Sequence, residues 1–350
     1  MKYRNLGKSG LSVSNLILGT MGFGTETPED EAFAILDAFL DAGGNMIDTA
    51  DVYGGGASEE LIGRWRASRP DTTSRLVVAT KARFGTGPDI NDAGTSRPHL
   101  HRALNTSLRR LGVEAIDLYQ MHGWDPLTPV EETLSFLDAA ARAGKIHYIG
   151  LSNFTGWQLQ LVLSTARAMG LQVPITLQQQ YSLVCREIEY EVIPAALHND
   201  IGLLPWSPLA GGFLSGKYER DHVLNAGGTR YGNGNAMFQY IGAGLAGAER
   251  NWSTLDAVRQ IADDIRASPS QVALSWVTNR PAVSASIIGA RTMKQLNDNL
   301  LAASLQLHPE AIAKLDKVSA PVPDEYPYGR FGSLQRDRYI DSSEQALREL

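Results

Sequence analysis

The chain of 350 residues has a single cysteine, Cys185, which excludes an intrachain disulfide and a multi-cysteine metal cage. Positive charge is also scarce, since 32 Lys and Arg are outnumbered by 38 Asp and Glu. The resulting net charge of −6 disfavours a nucleic-acid backbone as a partner. No uninterrupted apolar run reaches the length of about 18 residues that a membrane span needs, and the first five residues lack the apolar core of a signal peptide. We therefore expect a soluble cytoplasmic protein with neither nucleic acid nor membrane as a partner, and with no metal.

A regular alternation of apolar runs and helical patterns indicates the fold. A hydrophobic content of 43% suffices for one large core, so we expect a single domain over 1–350. Eight runs have the character of strands: 16–19, 45–48, 76–81, 116–122, 146–151, 175–178, 202–206 and 286–289. The segments between them have helical periodicity, notably 29–41, 58–66, 99–110, 130–142, 156–169 and 189–198. Eight strand–helix units predict an α/β fold, a (β/α)₈ TIM barrel.

Three segments depart from the alternation. Residues 1–14 contain two short strands around a Gly7–Gly10 turn, which predicts a β-hairpin that caps one end of the barrel. Residues 217–251 contain seven glycines and little periodicity, so we expect a long mobile loop after strand seven that covers a cofactor. Residues 321–350 form a C-terminal tail, expected to wrap the barrel or to cover its mouth.

Ionisable side chains end three successive strand-like runs. Asp48, Lys81 and His122 close the second, third and fourth runs, and Tyr53 follows five residues after Asp48. In a parallel barrel the carboxyl ends of the strands meet at one face, so these four side chains should lie together. A phenol with an unperturbed pKa near ~10 is a poor acid at neutral pH, and a catalytic Tyr therefore needs a neighbour that stabilises its anion. Each residue taken alone has an ordinary structural explanation, but the four together favour a catalytic site.

The sequence resembles the aldo-keto reductase family over almost its whole length. The segments that carry the resemblance include YRNLGKSGL at 3–11, DTADVYG at 48–54, GLSNF at 150–154, WSPLA at 206–210 and IGAR at 288–291. The resemblance implies that Asp48, Tyr53, Lys81 and His122 form a catalytic tetrad. In it, Tyr53 protonates a carbonyl oxygen as hydride arrives from nicotinamide, and Lys81, held by Asp48, lowers the pKa of the phenol. His122 would orient the carbonyl or help to relay the proton.

The same resemblance implies an NADP(H) site. Ser152, Asn153 and Gln178 offer donors and acceptors for a carboxamide, and Trp206 offers a flat face for stacking. Arg291 would bind the 2′-phosphate, and Lys217 and Arg230 the diphosphate. Core packing of Trp206, helix capping by Asn153 and a surface role for Arg291 remain alternatives. The predicted cofactor contacts are Gly19, Thr20, Met21, Asp48, Ser152, Asn153, Gln178, Trp206, Ser207, Pro208, Leu209, Lys217, Arg230, Gly289, Arg291, Gln295, Asp298 and Asn299.

Aromatic residues after strand ends suggest the substrate pocket, and two motifs compete with this interpretation. Phe23, Phe84 and Trp124, with Tyr53 and His122, are the predicted walls of a pocket for a small carbonyl compound. A GxGxxG match at 242–247 lacks a preceding strand, and an HxH match at 99–101 follows Ser96-Arg97-Pro98, which predicts a helix start. Both are interpreted as coincidental.

The alternatives to a carbonyl reductase are a metal-dependent barrel hydrolase and a non-catalytic cofactor-binding subunit like the potassium-channel β subunits. His122 counts against a non-catalytic subunit, because the channel β subunits usually lack His at the matching position. The sequence leaves open the substrate and whether the chain forms a homo-oligomer.

Overall fold

The structure is a computed structural model that describes residues 1–220, 222–223 and 227–336. The parts of the predicted 217–251 loop and of the C-terminal tail at 221, 224–226 and 337–350 lie outside the described residues. The chain divides into two compact units, Met1–Ser319 and Ala320–Leu350. The boundary falls one residue before the predicted start of the tail. Whether the tail wraps the barrel or covers its mouth stays a prediction.

Eight parallel strands form the nearly closed barrel of the first unit, which confirms the predicted fold. From β3 to β9 each strand pairs in parallel with the next along the chain, and β10 pairs with β3. The ring is completed by the segment before β10, where Leu203 N donates to Ala282 O at 2.8 Å. The strands are β3 (Leu16–Gly19), β4 (Met46–Asp48), β5 (Val77–Ala82), β6 (Ile116–Met121), β7 (Ile146–Ser152), β8 (Thr176–Gln180), β9 (Gly202–Trp206) and β10 (Ser286–Gly289).

Alternating side chains divide the core into two layers. Residues such as Ile17, Val77 and Leu118 point inward and fill the barrel, whereas Leu18, Val78 and Tyr119 point outward against the helices. The helices of this unit are α1 (Glu29–Asp41), α2 (Ala57–Ala67), α3 (Pro70–Thr73), α4 (Arg97–Leu111), α5 (Val130–Arg142), α6 (Gly156–Ala168), α7 (Val192–His198), α8 (Ala236–Gly247), α9 (Glu249–Ile265), α10 (Pro269–Thr278), α11 (Met293–Leu301) and α12 (Pro309–Val318). In the second unit, α13 spans Arg330–Arg336.

The predicted hairpin is confirmed and lies against one end of the barrel. β1 (Tyr3–Asn5) pairs antiparallel with β2 (Ser12–Ser14). Gly7 has φ of 56°, and a Cβ there would come within 2.2 Å of Ile175 O and 2.9 Å of Gly202 N. Only glycine fits both the backbone angle and this close approach, so the turn can reach the start of β8 and β9.

The 217–251 segment is more ordered than predicted. The lack of helical periodicity was misleading, since α8 occupies Ala236–Gly247 and α9 begins at Glu249. The side chain of Asn235 accepts hydrogen bonds from the backbone N–H groups of Met237 and Phe238, which caps α8 and offsets its glycines. The GxGxxG match lies within α8 rather than in a strand-to-helix turn. Whether the segment covers a cofactor stays a prediction.

Helix α4 illustrates how local sequence sets an element's ends. Extended Ser96 precedes the first turn, which contains Pro98, and Gly112 ends the helix with φ of 63°. The predicted helix start at Ser96 is thereby confirmed. His99 and His101 consequently lie two apart on a helix, His99 buried and His101 exposed. Across the part of the chain that the structure describes, no helix has both the length and the apolar character for crossing a membrane.

Candidate active site

The four predicted catalytic residues meet at the carboxyl ends of three neighbouring strands. Asp48 ends β4, Lys81 lies near the end of β5, His122 directly follows β6, and Tyr53 opens the 3₁₀ turn Tyr53–Gly56 after β4. Lys81 Nζ lies 2.5 Å from Asp48 Oδ2 and 3.2 Å from Tyr53 Oη. It also donates to Thr49 O at 2.8 Å. One buried ammonium group therefore connects the carboxylate to the phenol.

Two glutamines hold the second oxygen of Asp48. Gln120 Nε2 and Gln178 Nε2 donate to Oδ1 at 3.0 and 2.8 Å, and Gln178 Nε2 also donates to Gln120 Oε1 at 3.2 Å. Both oxygens of Asp48 are thus used, which fixes the carboxylate against Lys81. The sequence analysis predicted Gln178 but missed Gln120. The sequence did contain a signal for Gln120, because this amide lies on the neighbouring strand β6 directly opposite Lys81.

Burial and neighbouring charges act in opposite directions on the pKa values of Lys81 and Tyr53, and both values end above their usual range. Burial pushes the pKa of Lys81 down, but the charges of Asp48 and Tyr53 more than offset it, so the pKa lies above its usual value. Burial raises the pKa of Tyr53, and the charge of Lys81 offsets this only in part. Lys81 thus acts on the phenol in the expected direction, but burial outweighs it and the pKa of Tyr53 lies above its usual value. At neutral pH the site holds a protonated phenol beside a fixed ammonium.

His122 is a neutral imidazole between two aromatic rings. Its ring centroid lies 5.8 Å from that of Tyr53 and 4.6 Å from that of Phe84, both in edge-on geometry. Burial, with the charges of Lys81 and Arg83, lowers the pKa of His122 to about 2. Its Nδ1 is buried and has no hydrogen-bond partner among the described residues. His122 can accordingly donate or accept a hydrogen bond but does not carry a proton as an imidazolium.

Left-handed backbone at two strand ends places the residues around His122. Asn153 after β7 and Ser207 after β9 have φ of 59° and 51°, an uncommon conformation outside glycine that occurs often at functional sites. Asn153 Nδ2 donates to His122 O at 2.9 Å, and Trp206 Nε1 donates to Asn153 Oδ1 at 3.2 Å. Asn153 is not the N-cap of α6, which is Thr155. Its amide instead joins the β6, β7 and β9 ends.

A single cavity of about 470 Å³ extends from the tetrad across the barrel mouth. All the residues predicted to contact a cofactor line it, from Gly19 to Asn299, together with Tyr53, His122 and Phe23. Lys81 lies behind Tyr53 and is not part of the wall. The sequence analysis missed some wall residues, namely Gly22, Gly211, Gly212, Ser215, Ser270, Leu274, Ile287, Ile288 and Ala290. Gly211 and Gly212 both have positive φ, and the pair of adjacent glycines in the sequence was the signal that could have predicted this turn.

The far end of the cavity gathers positive charge. Lys217, Arg230 and Arg291 all line it, and burial together with the charges of the two arginines lowers the pKa of Lys217. Like charges close together repel, and an anionic ligand would relieve that repulsion, so this end is suited to an anionic ligand. Gln295 Oε1 accepts from Arg291 N at 2.8 Å, which steadies the start of α11. Asn299 Nδ2 donates to Gly289 O at 3.2 Å.

Asp298 lines the cavity and also holds a helix start, whereas Phe84 and Trp124 lie outside the cavity. Both oxygens of Asp298 accept hydrogen bonds, from Ser268 Oγ at 2.9 Å and Gln271 Nε2 at 2.7 Å, so it holds the start of α10. Phe84 does not line the main cavity but packs on His122. Trp124 also lies outside that cavity. It contacts the rings of Phe154 and Trp157 and lines a separate void of about 20 Å³, too small for a substrate.

The fold and this site define a barrel oxidoreductase, and comparison with known proteins identifies the family. Residues 15–320 match the aldo/keto reductase family, and the chain belongs to it. An uncharacterized oxidoreductase, YrpG, of Bacillus subtilis is 38% identical over 330 residues, covering 91% of this chain and 96% of that protein. A probable voltage-gated potassium channel subunit beta of Oryza sativa subsp. japonica is 34% identical over 328 residues, covering 92% and 98%. An aryl-alcohol dehydrogenase [NADP(+)] of Phanerodontia chrysosporium is 31% identical over 341 residues, covering 92% and 86%.

Proposed function

We propose that the protein is an NADP(H)-dependent reductase that converts an aldehyde or ketone to an alcohol, with Tyr53 as the proton donor. The observation that carries the proposal is the contact of Lys81 Nζ with both Asp48 and Tyr53. These groups meet at one end of a cavity whose other end holds three cations. A proton donor at one end of the cavity suits a carbonyl substrate, and a cluster of cations at the other end suits the phosphates of a cofactor.

The polar groups of the cavity fit a nicotinamide cofactor. Gln178 Oε1 accepts no hydrogen bond from the described residues, and the hydroxyl proton of Ser152 has no acceptor among them. An acceptor and a donor on adjacent strands match the two ends of a carboxamide. Lys217, Arg230 and Arg291 supply charge for phosphates. When bound, the reduced nicotinamide supplies the hydride.

The residues of the chain then handle the proton. Tyr53 gives its proton to the carbonyl oxygen, and its raised pKa keeps the phenol protonated until that step. The phenolate that results is stabilised by Lys81, which Asp48 holds in place as an ammonium. Neutral His122 donates a hydrogen bond to the same carbonyl oxygen and orients it. Asp48 and Lys81 are buried, which strengthens the attraction between their charges.

The similarity to channel subunits supports a second candidate, a cofactor-binding regulatory subunit without turnover. The complete set of Asp48, Tyr53, Lys81 and His122 around one cavity favours catalysis over this candidate. Both candidate functions predict that NADPH binds, but only the reductase function predicts that NADPH is consumed.

The test combines binding with turnover. Fluorescence titration measures NADPH and NADH affinity, and absorbance follows NADPH consumption with a panel of aldehydes, aromatic ketones and ketosugars. We expect NADPH to bind and at least one class of carbonyl compound to be reduced. Binding without turnover on the whole panel would favour the regulatory candidate. Failure of both cofactors to bind would contradict both.

A further inference from the structure

Glu26 lies beside the cavity and forms ion pairs with two of the three cations at its far end. Glu26 Oε2 is 3.7 Å from Arg230 Nη2 and 3.7 Å from Arg291 Nη1. The three residues come from different parts of the chain: the loop between β3 and α1, the segment before α8, and the loop after β10. Their side chains are 25 to 30% exposed, so the cluster is partly removed from water.

A tight turn positions Glu26 in advance of any ligand. The backbone N–H groups of Glu26 and Thr27 both donate to Gly22 O, at 2.8 and 2.9 Å, and Gly24 N donates to Thr27 O at 3.3 Å. Gly22 itself lines the cavity, and a Cβ there would lie 3.4 Å from Glu26 Cβ. The carboxylate is therefore presented beside the cavity by a fixed turn and not by a freely moving segment.

The contacts of Glu26 with the arginines are ion pairs without hydrogen bonds. At 3.7 Å the donor–acceptor separation exceeds hydrogen-bond length, whereas a phosphate oxygen would form charge-assisted bonds of about 2.7–2.9 Å with a guanidinium. Arg291 is further engaged by Gly228 O, to which its Nη2 donates at 3.2 Å. A phosphate that binds Arg291 would thus approach a fixed negative charge, and the two anions would repel each other across the same guanidinium groups.

We propose that Glu26 is a specificity-determining residue that competes with the cofactor's 2′-phosphate for Arg291. This inference rests on the proposed function and concerns the balance between the two nicotinamide cofactors. NADPH must bind against the charge of Glu26. NADH has a hydroxyl in place of the phosphate and leaves the Glu26–Arg291 ion pair intact. Glu26 therefore weakens the preference for NADPH and hastens its release.

Removal of the charge tests the proposal. Glu26→Gln keeps the size of the side chain and should tighten NADPH binding about two- to fivefold, the scale of one partly exposed charge interaction, with NADH binding nearly unchanged. Most of the gain should appear as slower NADPH dissociation in stopped-flow displacement. Asp30→Asn is the matched control, because it removes a carboxylate four residues away that makes no ion pair in the described part of the chain. It should change neither affinity.

The coupling to Arg291 sharpens the test. In an Arg291→Ala background, Glu26→Gln should alter NADPH affinity by clearly less than in the wild type. Weaker binding of both cofactors to Glu26→Gln would overturn the proposal and assign Glu26 the opposite role, a clasp that closes the cavity. An unchanged NADPH/NADH ratio would also overturn it. Failure of the wild type to bind either cofactor would instead contradict the proposed function.

Discussion

At the end of the cavity where Tyr53 lies, charged groups are held by short contacts between strand ends, whereas at the end where Arg291 lies they are held loosely by loops. Lys81 is fully buried and lies 2.5 Å from Asp48. Arg291 is partly exposed and its nearest carboxylate is 3.7 Å away. The charged groups at the proton-transfer end therefore have several close partners without any ligand, whereas Arg291 has only a distant carboxylate, which a phosphate could replace.

The Asp48–Lys81 pair should give the largest effect. Asp48→Asn keeps an oxygen for Gln120 and Gln178 but removes the countercharge of a fully buried ammonium, so the free energy of unfolding should fall by about 3–5 kcal/mol. Urea denaturation measures it. The control is Asp200→Asn, which breaks an exposed ion pair with Lys8 and should leave stability unchanged.

The rate effects of the pair should not be additive. Lys81→Met should lower kcat nearly as much as loss of Tyr53, and adding Asp48→Asn should cost little more, because the carboxylate acts through the ammonium. If the effects of the two substitutions on kcat simply add, Asp48 and Lys81 work independently despite their short contact.

Tyr53→Phe separates chemistry from binding. The variant keeps the ring and its contact with His122 but removes the proton, so kcat should fall roughly 100-fold or more while NADPH affinity stays within about twofold. Steady-state kinetics and fluorescence titration measure the two quantities. A variant that turns over at the wild-type rate would refute Tyr53 as the acid.

Arg291→Ala probes the other end. Loss of a charge-assisted contact should weaken NADPH binding about ten- to a hundredfold and leave NADH binding nearly unchanged. The matched control is Lys294→Ala, which removes an exposed cation three residues away, in α11 and outside the cavity. Equal losses for both cofactors would place Arg291 away from the 2′-phosphate.

The smallest effect concerns an unpaired carboxyl group beside the tetrad. Both side-chain oxygens of Asp51 are buried without partners among the described residues, and burial, with the charge of Glu59, raises the pKa of Asp51 to about 8. The folded state therefore keeps a proton that the unfolded chain releases near pH ~4, so stability falls as pH rises from about 4 to 8.

Asp51→Asn should remove this dependence. Relative to the wild type, the variant should gain at least about 1 kcal/mol of stability between pH 6 and pH 9, because an amide has no proton to lose. Thermal or urea denaturation at both pH values measures the difference. A wild type and variant with parallel pH profiles would show that Asp51 is ionised in the folded protein.

The two ends of the cavity also differ in what the sequence could predict. Asp48, Lys81 and His122 each close a strand-like run, and parallel topology brings the ends of such runs to one face, so their convergence follows from the order of elements alone. Tyr53 follows within one turn of Asp48. The positions of these residues are fixed by the sheet, because the strands that carry them are hydrogen-bonded in register.

Other features were decided by packing between distant segments. The ordering of α8, the absence of Trp124 from the cavity and the approach of Glu26 to Arg230 and Arg291 depend on which loops lie against each other. The raised pKa of Tyr53 depends likewise on how completely the fold removes water from the phenol. Sequence alone determined the barrel and the residues at its strand ends, because local periodicity sets strands and topology sets their neighbours. Tertiary structure alone decided the loop contacts and the ionisation states, because both depend on distances and burial that no local pattern encodes.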